Sequence, residues 1–138
     1  MKKKVLIISS SFYKNFEKQL LAGALKEIDK KLFEINHFSV TGAYEIPQLL
    51  NILLKDKYYA FCVALGCIIK GETPHFEIIS QSVSDKLLEI SIKYNVPISN
   101  GVLNCNTPKQ AEVRCDPKFK NKGDRKSTRL NSSHANIS

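Results

Sequence analysis

Four short apolar runs, each followed by a stretch whose apolar residues recur every three or four positions, constrain this chain more than anything else in it. Val5-Leu6-Ile7-Ile8, within Lys4–Ser9, is continuous and apolar, as a parallel strand covered on both faces should be. Phe33–Val40 alternates enough to be a second strand, Ala60–Leu65 is the most apolar run, and Val96–Leu103 supplies a fourth. After the first run, Asn15 is placed to cap a helix carrying Phe16, Leu20, Ala24 and Ile28, which finishes near Lys30 and Lys31. Thr41-Gly42-Ala43 turns into a second helix with Pro47 in its first turn and Ile46, Leu49, Leu50, Leu53 and Leu54 on its core side. Thr73-Pro74 opens a third, with Thr73 as N-cap and Ile79, Val83, Leu87 and Ile90 buried. Thr107-Pro108-Lys109-Gln110 is a capping-box start for a fourth, which Asp116-Pro117 ends. This β-α-β-α-β-α-β-α order predicts an α/β fold of three layers, α/β/α, around a four-stranded parallel sheet with right-handed crossovers.

A chain of 138 residues with 43% hydrophobic and 25% charged residues is too short for two ordinary domains. At this size folding buries roughly 65–70% of the unfolded surface, so a core forms without disulfides. Cys62, Cys67, Cys105 and Cys115 form no C-x-x-C pair and no zinc spacing, which fits reduced thiols. The best apolar stretch, Tyr58–Ile69, falls short of the roughly 20 residues a spanning helix needs, and Met-Lys-Lys-Lys leads into no signal-peptide core. The expectation is a cytoplasmic protein with no membrane partner.

The formal net charge of +8 divides unevenly. Of 21 basic and 13 acidic residues, three and one respectively lie from Asp124 onward, leaving +6 for residues 1–123. Those positive charges are spread along helices and termini without a recognition motif, so a nucleic-acid partner is not expected. From Asp124 the composition turns to Ser, Asn and Arg with almost nothing apolar. Asp124–His134 resembles the translation of a sequencing adapter, with Ala135–Ser138 as its continuation; the other reading is a natural disordered tail. The expected organisation is a domain over 1–123 that lacks a final helix and a non-native, disordered tail over 124–138.

In an open parallel sheet, ligands bind beyond the carboxyl ends of the strands, where helix amino termini point their N–H groups outward. The loops expected there are Ser9–Tyr13, Thr41–Glu45, Gly66–His75 and Ser99–Asn104. Gly71 permits close backbone approach, and the helix start at Thr73-Pro74 favours a phosphate. His75 is one turn away, and an imidazole can pass protons to and from a carbonyl or imine beside that phosphate. Phe12 and Tyr44 are placed to stack on a planar heterocycle. Each also has an ordinary reading: His75 as a solvated surface residue, the two rings as core or rim aromatics, Glu45 as a carboxylate favourable to a helix dipole, Arg114 as a solvated helix residue.

Taken together, Gly42-Ala43-Tyr44-Glu45-Ile46-Pro47, Leu65 to Phe76 with its Gly71-Glu72-Thr73-Pro74-His75 block, Asn100-Gly101-Val102-Leu103 and Asn121-Lys122-Gly123 resemble the lumazine synthase family of riboflavin biosynthesis, in order and spacing, over Lys4–Gly123. The resemblance implies a flavodoxin-like fold. It also implies a transferase that condenses 5-amino-6-(D-ribitylamino)uracil with 3,4-dihydroxy-2-butanone 4-phosphate to 6,7-dimethyl-8-(D-ribityl)lumazine, phosphate and water, without cofactor or metal. On the same basis Phe12 stacks on the pyrimidine, Ala43, Tyr44 and Glu45 bind the ring and ribityl chain, and Cys67, Ile68 and Ile69 present backbone groups to the pyrimidine edge. Glu72 and Thr73 face the butanone phosphate together with Arg114, His75 transfers the proton, and Lys122 lies close to the substrates. The family resemblance further implies a homopentamer, alone, stacked or in an icosahedral shell, with Asn100 and Arg114 supplied to each site by a neighbouring subunit.

Several residues depart from the commonest pattern of that family: Tyr13 where Asn is frequent, Tyr44 where Phe is, Lys70 where Arg is, and Asn100 where Phe often covers the pyrimidine. Asn100 cannot stack as a ring does. An alternative that the same loops serve is a flavodoxin-like module that binds a flavin or lumazine without making it.

Overall fold

The computed structural model describes residues 1–116. Lys122, the Asn121-Lys122-Gly123 segment, the expected tail and the expected missing helix lie outside the described residues. The chain runs β1 (Lys3–Ser10), α1 (Lys14–Glu27), β2 (Phe33–Val40), a 3₁₀ turn (Ala43–Glu45), α2 (Ile46–Asp56), β3 (Phe61–Ile69), α3 (Phe76–Tyr94), β4 (Ile98–Cys105) and α4 (Pro108–Cys115). All strand pairings are parallel, in the order β2-β1-β3-β4, and the fold is the expected flavodoxin-like α/β/α arrangement.

Side chains on a strand alternate between faces, and here each face has its own helices. Val5, Ile7, Val63, Leu65 and Cys67 pack against Leu20, Ala24 and Ile28 of the α1 segment and Ala111 and Cys115 of α4. Leu6, Ile8, Cys62, Ala64 and Ile68 pack against Ile46, Leu50 and Leu54 of α2 and Val83, Leu87 and Ile90 of α3. Strand β3 is buried along its whole length, which explains its unbroken apolar sequence. Strand β2, at an edge, keeps only Phe33 fully buried, where its ring meets Phe61 edge-on at 5.3 Å between centroids. Gly101 lies where β4 presses on β3: a Cβ there would come 2.8 Å from the Ala64 carbonyl oxygen.

Four expectations need correction. Tyr13, not Asn15, is the N-cap of α1, and it offers no side-chain hydrogen bond. The first turn is tied down instead by Glu17, whose Oε2 accepts from Ser9 Oγ (2.5 Å) and Ser39 Oγ (2.6 Å), while Ser9 Oγ also bonds His37 Nε2 (2.7 Å). Helix α1 ends at Glu27, before Lys30 and Lys31, because the Asp29 carbonyl and carboxylate collect the amides of Lys31, Leu32 and Phe33 into a turn.

Gly66–Ile69 and Ser99–Asn104 are strand rather than loop: β3 and β4 stay paired from Cys62–Ile98 to Ile69–Cys105. Finally, Thr73 does not cap α3. His75 does, with φ 57° and ψ 43°, and a left-handed residue cannot be continuous with a right-handed helix, so α3 starts only at Phe76. The fourth helix matches expectation: Thr107 Oγ1 accepts from the Gln110 amide at 3.2 Å, and Gln110 Oε1 accepts from the Asn106 amide at 2.9 Å.

Candidate active site

Between β1 and β3 the chain connections leave in opposite directions, which opens a crevice at the carboxyl ends of these two strands. The β1 ladder to β3 stops at the Ser9–Leu65 pair, whereas the β4 ladder continues to Ile69–Cys105. Strand β3 therefore outruns β1, and from Gly66 onward its β1-facing edge has no strand neighbour among the described residues. Main-chain N–H and C=O groups on such an edge are unspent recognition groups.

Around this overhang lies a hollow of about 150 Å³ lined by Phe12, Gly42, Ala43, Tyr44, Cys67, Ile68, Thr73 and Ile79. Phe12 and Tyr44 are large aromatic side chains left 60% and 55% exposed at its mouth, an exposure that ordinary core aromatics do not have. A larger groove of about 380 Å³ runs between α2 and α3 and shares Tyr44 with the hollow, but the rest of its polar lining, Gln48, Asn51, Ser82, Lys86, Glu89 and Lys93, lies along the two helices. Size alone does not mark the reactive site; convergence of strand ends and helix starts does.

Of the residues singled out in the sequence, the structure brings Phe12, Ala43, Tyr44, Cys67, Ile68 and Thr73 to one hollow. Ile69 lies just beneath it, its carbonyl accepting the amides of Glu72 (3.2 Å) and Thr73 (3.1 Å). Those two amides are thereby spent. The donors available for an anion are those of the α3 start, whose first backbone bond within the helix runs from the Ile79 amide to the His75 carbonyl. The sequence placed this helix start two residues too early.

The turn between them, Lys70–His75, carries two positive φ values, 89° at Gly71 and 57° at His75. Histidine tolerates that region better than bulky or branched residues. The His75 imidazole is exposed and has no hydrogen-bond partner among the described residues. Glu45 is exposed and its carboxylate folds back over Gly42, 2.8 Å from where a Cβ would stand.

Asn100 and Arg114 are not in the hollow. Asn100 sits within β4, its Nδ2 donating to Ser84 Oγ (3.4 Å) and its Oδ1 accepting from the Val102 amide (3.0 Å). Arg114, exposed in the last turn of α4, donates from Nη1 to the Asn104 carbonyl at 3.3 Å.

All four cysteines are buried free thiols. Contact with Cys105 pulls the Cys67 thiol down, but contact with Cys115, burial and the Glu72 charge outweigh it and push it up to about 12. Contact with Cys67, together with burial, likewise pushes Cys105 up. Cys67 is therefore a neutral wall residue at physiological pH and not a thiolate nucleophile.

One contact escaped the sequence reading, which placed Tyr13 in the first loop and noted it where Asn is frequent but gave it no partner. Tyr13, half-buried beside Phe12, donates its hydroxyl to Glu72 Oε1 at 3.0 Å. Burial, then the Glu72 carboxylate, push this phenol up to about 12. Nothing in local periodicity signals a contact between residues 59 positions apart.

Comparison with known proteins is consistent with this arrangement. The family model described as 6,7-dimethyl-8-ribityllumazine synthase matches residues 2–130. A protein of that name from Bartonella bacilliformis is 38% identical over 122 residues, covering 87% of this chain and 80% of the relative. Its namesake from Buchnera aphidicola subsp. Baizongia pistaciae is 42% identical over 127 residues, covering 88% and 79%. One from Nitrobacter hamburgensis is 37% identical over 125 residues, covering 87% and 77%.

Proposed function

The chain belongs to the 6,7-dimethyl-8-ribityllumazine synthase family, a family of transferases in riboflavin biosynthesis, and on that premise we propose how its own residues carry out the reaction. The substrates are 5-amino-6-(D-ribitylamino)uracil and 3,4-dihydroxy-2-butanone 4-phosphate; the products are the lumazine, phosphate and water. The observation that carries the assignment of roles is the β3 overhang roofed by Phe12. A flat heterocycle laid against that ring brings its polar edge to the β1-facing main-chain edge of Cys67, Ile68 and Ile69, where the Ile69 carbonyl is already taken by the turn that follows. Ala43, Tyr44 and Glu45 border the same hollow and hold the ring and its ribityl chain.

The phosphate ester belongs at the α3 start, where free amides and the positive end of the helix dipole favour an anion, with Glu72 and Thr73 on the preceding turn. Once the amine has condensed with the ketone and lost water, a proton must leave a carbon near the phosphate as phosphate departs. His75 stands at the junction between turn and helix, within reach of that anion site, and takes that proton. Most of the remaining rate enhancement is positioning of two substrates, worth roughly 7–11 kcal/mol when both are well oriented.

The proposal extends to assembly. Asn100 and Arg114 reach a site from a neighbouring subunit of a homopentamer, free or within a larger shell, working in the cytoplasm, and Lys122 lies close to the substrates. Two features support it: the outer side of α3 exposes Ile78, Leu88 and Ile92, each more than 60% accessible, and β4 pairs only with β3 among the described residues. No helix among the described residues is long and apolar enough to cross a membrane.

Mixing the two substrates with the protein should yield lumazine absorbance and inorganic phosphate in equal amounts; absence of both overturns the assignment. Sedimentation velocity run on the active sample should show an oligomer, and an active monomer would remove the shared site.

A further inference from the structure

The turn that carries Glu72, Thr73 and His75 is weakly anchored. Apart from Thr73 its residues are exposed, it contains two left-handed backbone conformations, and its ion pair, Lys70 to Glu77, is long at 3.8 Å and solvent-exposed. Its amide bonds run to Ile69, directly before it, and to Cys105 of β4. The side chain that reaches it from the β1 side of the crevice is Tyr13, whose hydroxyl holds Glu72 Oε1 at 3.0 Å and also meets Thr73. The same ring stands edge-on to Phe12, with centroids 4.8 Å apart and planes at 81°, and leans on Phe16 at 5.7 Å.

We propose that Tyr13 is a positioning residue with two separable arms: its hydroxyl sets the Glu72 carboxylate and the Lys70–His75 turn for the phosphate-bearing substrate, and its ring sets Phe12 for the heterocycle. The physical need is plain on the phosphate side. A carboxylate free to swing across an anion site repels the phosphate that must enter, at a distance where a unit charge is only partly screened. Pinned by an O–H donor, it is held toward α1 and its charge is partly answered, so the amides at the α3 start stay open. On the other side an edge-to-face contact fixes the plane of Phe12 while leaving its face for stacking. Tyr13 acts through Glu72 and Phe12 and touches no reacting atom.

This inference rests on the substrate assignment above, and the test separates the two. Tyr13→Phe removes only the hydroxyl arm. It should raise KM for the butanone phosphate roughly tenfold, the order expected for one partly exposed hydrogen bond to a charged group, and leave KM for the uracil within about twofold. Tyr13→Leu removes both arms and should raise both KM values. In a Glu72→Ala background, Tyr13→Phe should add nothing. Equal movement of both KM values in Tyr13→Phe, no movement of either, or an undiminished effect without Glu72 overturns the proposal. If the wild-type protein makes no lumazine, the substrate assignment fails. Tyr13 is then judged by binding of inorganic phosphate followed by calorimetry, where several-fold weaker binding in Tyr13→Phe sustains the hydroxyl arm and unchanged binding removes it.

Discussion

Thr73-Pro74 and Thr107-Pro108 are the same dipeptide, each set between a parallel strand and the helix that follows it, yet only the second begins a helix. At Thr107 the hydroxyl caps the Gln110 amide, Pro108 takes the first helical position, and Gln110 reaches back to Asn106. At Thr73 the amide is consumed by the Ile69 carbonyl, Pro74 lies in a turn, and the helix waits until after a left-handed His75. The α4 start is capped from within, its Gln110 amide answered by the Thr107 hydroxyl. The α3 start has no side-chain cap, which leaves its first amides to solvent or to a ligand. A local rule is obeyed at the start that is capped and broken at the start left open beside the candidate site.

The largest expected effect lies at the left-handed residue itself. His75→Asn keeps a side chain that tolerates positive φ but removes the imidazole, so turnover should fall roughly 10²-fold with melting little changed. Unchanged turnover takes His75 out of the mechanism, and the contrast between the two helix starts loses its functional meaning.

Next comes an exchange of effects between the two threonines. Thr107→Ala should cost about 1 kcal/mol in urea unfolding, the usual loss of an N-cap, without touching the chemistry. Thr73→Ala should change stability by less than about 0.5 kcal/mol, because it caps nothing, while weakening turnover. Similar destabilisation by both variants would erase the distinction.

The smallest effect concerns the third kind of start, at α1, where Glu17, Ser9, Ser39 and His37 replace a cap. Burial pushes the His37 imidazole down from its ordinary 6.5, and the neighbouring Glu17 opposes this only in part. The unfolded chain then binds the proton more readily than the folded one, so this contribution is intact above about pH 6.5 and is lost as pH falls below that value. Melting temperature should drop between about pH 7 and pH 5 more in the wild type than in His37→Gln. Parallel pH profiles for the two would assign no role to His37.

The same contrast explains which parts of the molecule were legible in the sequence. Strands β1 and β2 and helix α4 were readable because short-range signals decide them: an unbroken apolar run, an alternation, a capping box. The overhang of β3 was not, because Gly66-Cys67-Ile68-Ile69 reads locally as the start of a loop, and only pairing with β4 keeps it extended. His75 was singled out for its chemistry and misplaced as structure: nothing local announces a left-handed residue directly after a Thr-Pro. Phe12, Ala43, Tyr44, Cys67, Ile68 and Thr73 do converge on one hollow. Asn100 and Arg114 do not, and the tie from Tyr13 to Glu72 went unseen because it is set by the crossover between β1 and β3, not by spacing.

The four residues by which β3 extends past its neighbour have one more consequence. Where a ligand is read by main-chain groups, the code is written in backbone position, and side chains become interchangeable so long as the strand stays extended and the wall stays apolar. Cys67→Ala, Cys67→Val or Ile68→Val should then leave affinity for the heterocycle nearly untouched. The floor of this site is free to drift in sequence, and the burden of constancy falls on whatever holds β3 in register, above all Gly101, whose missing side chain lets β4 close on Ala64.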